Sequence, residues 1–144
     1  KLLQAQYPQY SEAIRMYDEY WYKMLKCEFP ESIALLKELK SLGYGIYGLT
    51  NWSAEKIGYA FSNYDFFGLF DGIVVSGDEK VAKPDPKIYR ILLERYGLVP
   101  GECVFLDDNA DNVKAAEALG INAIRFDNIE NVKQNLAKLL GRTL

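Results

Sequence analysis

The 144-residue sequence contains no histidine. That absence removes every mechanism built on an imidazole base, the Ser-His-Asp and Cys-His triads included, and most zinc sites with them. Cysteine is nearly as scarce. Cys27 and Cys103 are the only two, they stand far apart, and Cys103 lies in an apolar run. A reduced, cytoplasmic protein with buried thiols is the expectation. No apolar run approaches the roughly 18 residues of a membrane span and no signal peptide opens the chain, so no membrane partner is expected. The opening KLLQAQYPQY has no initiator methionine, and the chain reads as beginning inside a longer protein. A basic stripe is missing as well: net charge is −3 and the lysines and arginines are scattered, which leaves no case for a nucleic-acid partner. With 49% hydrophobic and 26% charged residues, what remains is enough to bury the core of one globular domain.

Periodicity divides the chain. Ser11 to Lys26 sets Ile14, Tyr17, Trp21 and Met24 at helical spacing, with Tyr20 and Tyr22 added, and reads as an aromatic-rich helix whose stripe is packing surface. Pro30 opens a second helix with Ile33, Leu36, Leu39 and Leu42 in register, and Gly43 stops it. Four short apolar runs follow: Gly45–Leu49, Gly72–Val75, Cys103–Leu106 and Asn122–Phe126. Helical patterns separate them. Ser53 caps one to about Asn63, and Asp85 and Pro86 start another that Gly97 ends. A third runs from Ala110 to Leu119, and a last amphipathic helix covers Asn131 to Leu140. Strands alternating with helices predict right-handed crossovers and a doubly wound parallel sheet, an α/β fold. The runs are apolar almost throughout, as strands covered on both faces should be.

In such a sheet ligands bind beyond the carboxyl ends of the strands. The unusual polar residues collect there. Thr50 and Asn51 leave the first run, Ser76 and Lys83 follow the second, and Asp107, Asp108 and Asp111 follow the third. Adjacent carboxylates at a strand end repel unless a cation or a shared proton relieves them. Oxygen ligands without histidine or thiolate favour a hard ion such as magnesium. The bland alternative is that Asp108 or Asn109 caps the next helix. Thr50 and Asn51 could bind an oxyanion or merely satisfy backbone. Lys83, stiffened by Pro84, could neutralise a phosphate or a carboxylate, or stand as a solvated charge.

Three motifs in order carry a family resemblance. LTNWS at 49–53, VAKPDPKIY at 81–89 and VFLDDNADNV at 104–113 resemble the second, third and fourth motifs of the haloacid dehalogenase (HAD) superfamily. The connecting FDGIVVSGDE is similar too, and the resemblance runs from about Pro30 to Leu140. It implies residues 29–144 as a HAD-like α/β core, a Rossmannoid lacking its first strand, and residues 1–28 as the end of a helical cap. It implies that Thr50 binds transferring phosphoryl oxygens with Asn51 assisting, and that Lys83 balances nucleophile and substrate charge. Asp108 would bind Mg²⁺ directly, Asp107 directly or through a water, and Asp111 and Asn112 would support them.

The family's first motif, an apolar strand ending in Asp-x-Asp, supplies the nucleophile and the acid–base group. No segment before Gly45 has that form. Leu69-Phe70-Asp71-Gly72 imitates it, but Asp71 precedes its run and would lie at the opposite sheet edge from Asp108. Loss of that central strand would expose apolar edges. The expected activity of the complete protein is a magnesium-dependent phosphatase acting on a small phosphorylated metabolite through an aspartyl-phosphate, with this chain alone inactive. Two alternatives stand beside it. A 2-haloacid dehalogenase would need no metal, and its members commonly carry serine or asparagine where Asp107 and Asp108 stand. A non-catalytic domain would bind a phosphorylated ligand or a protein.

Overall fold

The computed structural model describes residues 29–144 together with residues 6, 8–12, 15 and 16. The aromatic residues of the helix expected over Ser11–Lys26, Tyr17, Tyr20 and Trp21 among them, and Cys27 lie outside the described residues. The strands are β1 (Tyr47–Thr50), β2 (Gly72–Val75), β3 (Val104–Asp107) and β4 (Asn122–Arg125). Between and around them run α1 (Pro30–Ser41), α2 (Ala54–Asn63), α3 (Ser76–Glu79), α4 (Pro86–Tyr96), α5 (Ala110–Glu117) and α6 (Ile129–Leu140).

The helix ends follow local chemistry. Asp85 accepts the Lys87 N–H at 2.8 Å, Pro86 supplies the first-turn φ, and Gly97 at φ 62° ends α4. Asn109 caps α5 through the N–H groups of Asp111 and Asn112, and Asn128 caps α6 through Asn131. Ser53 precedes α2 as expected but makes no side-chain cap bond. β1 starts later than the apolar run because Ile46 is taken by Asp71, which accepts the Ile46 N–H at 2.8 Å and donates its own N–H to the Ile46 carbonyl at 2.7 Å. Asp71 also pairs with Lys40 at 2.6 Å, at the amino end of the strands. The single turn α3 was not expected; four residues are too few to show a period. Its start packs backbone on backbone, since a Cβ on Gly77 would lie 2.2 Å from the Ala54 nitrogen.

β1 pairs in parallel with β2, from Tyr47↔Gly72 to Thr50↔Val75, and β3 with β4, from Val104↔Asn122 to Asp107↔Arg125. Successive side chains go to opposite faces. On one face Leu35 and Leu39 of α1 and Val132 and Leu136 of α6 pack with Ile46 and Ile124. On the other, Ile88 and Tyr89 of α4 and Ala116 of α5 enclose Val74 and Ile121. Burying Ile88 completely contributes about 2–3 kcal/mol before entropy is counted. α2 closes a smaller cluster of Ile57, Ala60 and Val75. The chain is therefore an α/β protein with helices on both faces of parallel strands.

The strands do not form one sheet. Among the described residues the β1–β2 and β3–β4 pairs share no ladder. Between β1 and β3 lies an apolar slot of about 670 Å³. The expectation of strands buried on both faces fails there: every residue of β1 and β3 is only half-buried. The strands lack an inner neighbour, and no helix face can cover an edge.

Candidate active site

The carboxyl ends of β1 and β3 meet around Lys83. In the loop before α4, Lys83 extends its ammonium to Asp107 at the end of β3, Nζ to Oδ2 2.6 Å. The two side chains are 11% and 7% exposed, so this is a buried pair. A charge pair shielded this way needs further hydrogen bonds to offset its lost hydration. Asp107 has them. Its Oδ1 accepts the Asn109 N–H at 2.9 Å, and Asn112 Nδ2 reaches both oxygens at 3.1 Å. Asn112 is itself buried, and its carbonyl accepts the Tyr89 hydroxyl at 2.9 Å. The Tyr89 ring stands edge-on to Phe105, over whose ring the Lys83 ammonium sits at 5.6 Å.

These contacts set the titrations. Burial pushes the Asp107 carboxyl up, but hydrogen bonds from Lys83, Asn109 and Asn112 and the Lys83 charge outweigh it and hold the group below the usual carboxylate range. Burial, with the Asp107 charge added, pushes Tyr89 up to about 12. Asp107 is thus an anionic anchor and Tyr89 a neutral donor near neutrality.

The predicted site residues separate into groups. Lys83, Asp107 and Asn112 form one network. Asn51 is exposed and ties two loops together. Its side chain clips the Lys83 backbone, donating from Nδ2 to the carbonyl at 3.0 Å and accepting the N–H at 2.8 Å on Oδ1. Thr50 ends β1 and lines the slot. Ser76 holds the next residues in place: its hydroxyl accepts the Trp52 N–H and donates to the Trp52 carbonyl. Because Asn109 takes the helix cap, Asp108 is left exposed, its carboxylate without a partner among the described residues. Asp111 is exposed and joins the network only through its backbone N–H.

Sequence reasoning missed two residues. Tyr89 looked like a core position of an amphipathic helix, which it also is, and nothing local marks its hydroxyl. Arg125, opposite Asp107 in the ladder, donates from Nε to the Asp108 carbonyl at 3.2 Å and steadies the loop that presents Asp108. A cation ending a strand beside two aspartates was the available signal.

No group of three or more histidine, cysteine, aspartate or glutamate residues is placed to hold a metal among the described residues. Both Asp107 oxygens are already engaged. The donor set fits a hard ion through Asp108 alone, with water, a phosphate oxygen or outside groups completing the shell; magnesium is commonly held by one or two carboxylates in this way.

Parallel strands, helices on both faces and an acidic, lysine-anchored carboxyl edge define an α/β protein with a candidate site at its strand ends. The haloacid dehalogenase-like hydrolase model matches residues 3–120, and the chain belongs to that family. It is 32% identical over 106 residues to (S)-2-haloacid dehalogenase 4A of Burkholderia cepacia, covering 74% of this chain and 46% of that protein. To a sesquiterpene phosphatase of Aspergillus oryzae it is 32% identical over 108 residues, covering 75% and 55%. A HAD-family enzyme of Bacteroides thetaiotaomicron, solved with magnesium and inorganic phosphate, superposes with a TM-score of 0.61 at 29% identity, covering 67% of this chain and 52% of that one. The chain spans about half the length of these curated relatives.

Proposed function

We propose that the complete protein is a magnesium-dependent phosphatase of a small phosphorylated metabolite, and that its aspartate nucleophile lies outside these 144 residues. One observation carries the reading: Asp108 is an uncommitted carboxylate beside an Asp107 whose charge is already balanced by Lys83. A protein displacing halide from carbon has no use for that free acid, whereas a phosphatase uses it for a cation. The phosphatase relative and the Bacteroides enzyme with magnesium and phosphate support this reading. The dehalogenase relative supports the alternative, in which Asp108 would be idle.

In this reading Asp108 would hold the ion, which when bound neutralises phosphate charge and aligns the phosphoryl group. Thr50, at the end of β1, would donate its hydroxyl and backbone N–H to phosphoryl oxygens. Lys83 would lend its charge to the nucleophile and substrate while Asp107 holds its ammonium in place. Asn51 would fix the Lys83 backbone, and Asn112 would lock Asp107.

The test is an assay of the longer polypeptide and of the 144-residue chain on p-nitrophenyl phosphate and 2-chloropropionate. The expected result is magnesium-dependent phosphate release by the longer protein, abolished by EDTA and by Asp108→Asn, with no turnover by the short chain. Metal-independent chloride release, or robust phosphate release by the 144 residues alone, would overturn the proposal.

A further inference from the structure

On the side away from β3, β4 presents an edge to solvent. Asn122 donates its N–H to the Cys103 carbonyl at 3.2 Å and Phe126 to the Asp107 carbonyl at 2.8 Å, so alternate residues from Asn122 turn their main-chain groups toward β3. Ala123 and Arg125 therefore turn theirs outward, where β4 has no ladder among the described residues. The outward groups open into a groove of about 490 Å³ between the strand edge and α6, walled on the helix side by Asn131, Asn135, Lys138 and Leu139. All four are exposed, Leu139 by 49%. An open strand edge beside such a helix face is a surface that another strand can join.

The charges of this surface select the strand. Asp127, just past β4, accepts from Asn131 Nδ2 and from the Asn128 N–H, both at 2.7 Å, so its carboxylate is fixed at one end of the groove. Lys138 stands at the other end, with no ion-pair partner among the described residues. It cannot meet Asp127 of its own chain, because seven residues of helix set it about 10 Å from Asn131 along the axis. Phe126–Asn128 alone join β4 to α6, and Ile124 shares a core cluster with Val132 and Leu136. The helix thus returns along the strand, with Asn135 near the level of Ile124. Asn131 then lies about 6 Å to one side of that level and Lys138 about 4–5 Å to the other. Antiparallel pairing of β4 with a copy of itself sets a twofold axis at Ile124. Ala123 of each copy and Arg125 of the other then exchange main-chain bonds. The same axis brings Asp127 and Asn131 of each copy to the level of Lys138 of the other. Cations beside an edge can serve to repel a second strand. Here the lysine of each copy faces an anion of the other, so the surface complements itself.

We propose that the β4 edge and the adjoining face of α6 form an interface between two copies of this chain. The β4 strands pair antiparallel across a twofold axis, and two Asp127–Lys138 ion pairs close the ends of the contact. Arg125, whose main chain pairs near the axis, also holds the Asp108 carbonyl from Nε, so the interface adjoins the candidate site. Association needs neither metal nor turnover, and it stands or falls apart from the phosphatase reading.

The test is sedimentation equilibrium of the chain and its variants. A monomer–dimer equilibrium is expected with a dissociation constant of about 1–100 µM, as suits a small and polar contact. Ala123→Pro removes one outward N–H at an edge position that tolerates proline. It should weaken association at least about tenfold with the far-UV circular dichroism unchanged. Lys138→Glu and Asp127→Lys should each weaken it by a similar factor, since each sets like charges against one another. The double variant, which restores both pairs in the opposite sense, should associate at least about tenfold more tightly than either single variant. In Asn135→Cys the new thiols lie beside the axis, and a short bismaleimide should yield cross-linked dimer beyond that of the parent. A chain that stays monomeric at about 100 µM, or a dimer indifferent to Ala123→Pro, would overturn the proposal. So would a double variant no tighter than its single parents, or Asn135→Cys cross-linking no more than the parent.

Discussion

At the carboxyl edge of the strands, Lys83, Asp107, Asn112 and Tyr89 find each other, whereas in the slot below, β1 and β3 share no ladder among the described residues. The described residues contain no buried side-chain donor or acceptor without a partner. The side-chain network is closed among the described residues, while the two strand pairs share no ladder there. The network closes through loops and side chains from β3, α4 and α5.

The largest expected effect contrasts core with slot. Ile88→Ala, at a fully buried position, should cost about 3 kcal/mol in urea unfolding, and Leu106→Ala, which lines the slot, about 1 kcal/mol, because an open wall leaves no closed cavity behind. Equal losses would show the slot to be closed in solution.

Next comes the buried pair. Lys83→Met leaves Asp107 shielded without its cation and should cost about 3 kcal/mol. In the parent chain the folded-state pKa of Asp107 lies below its unfolded value, so its contribution is present above about pH 4 and is lost as pH falls through the folded value. Stability measured against pH should therefore show an acid limb that Lys83→Met flattens; an unchanged limb would remove Asp107 as its source.

Tyr89→Phe should cost about 1–2 kcal/mol, the worth of a buried donor and the carbonyl it leaves unpaired. Because the Tyr89 pKa is raised from about 10 to about 12, the parent should also lose stability as pH rises through that interval, and the variant should lose less. The smallest structural effect belongs to Asp108→Asn, expected within about 0.5 kcal/mol of the parent because the exposed carboxylate has no partner among the described residues. Magnesium titration of the same variant should show binding lost. A large destabilisation instead would make Asp108 part of the scaffold.

Much of this was legible in the residues. Pro86, Asp85 and Gly97 marked α4 to the residue, because φ restriction, an N-cap and a left-handed stop act locally. The apolar runs gave all four strands, and Asp71 was separated from the site by its position before β2. Motif order singled out Thr50, Lys83, Asp107 and Asp108 as candidates, and the structure brings Lys83 and Asp107 together. What it could not give was which atom each residue touches: Asn51 spends its amide on Lys83 backbone, and Asp107 spends both oxygens on the network, because contacts across 20 or 30 residues leave no local period.

The sequence by itself determined the element order, the parallel α/β class and the edge at which polar residues gather, since propensity, patterning and capping act within a few residues. Tertiary structure alone decided that Asp107 is engaged by Lys83 and Asn112 while Asp108 has no side-chain partner among the described residues, that Tyr89 and Arg125 bond to Asn112 and Asp108, and that β1 and β3 share no ladder there. Those outcomes depend on which surfaces meet and on which hydrogen bonds each approach leaves unmade.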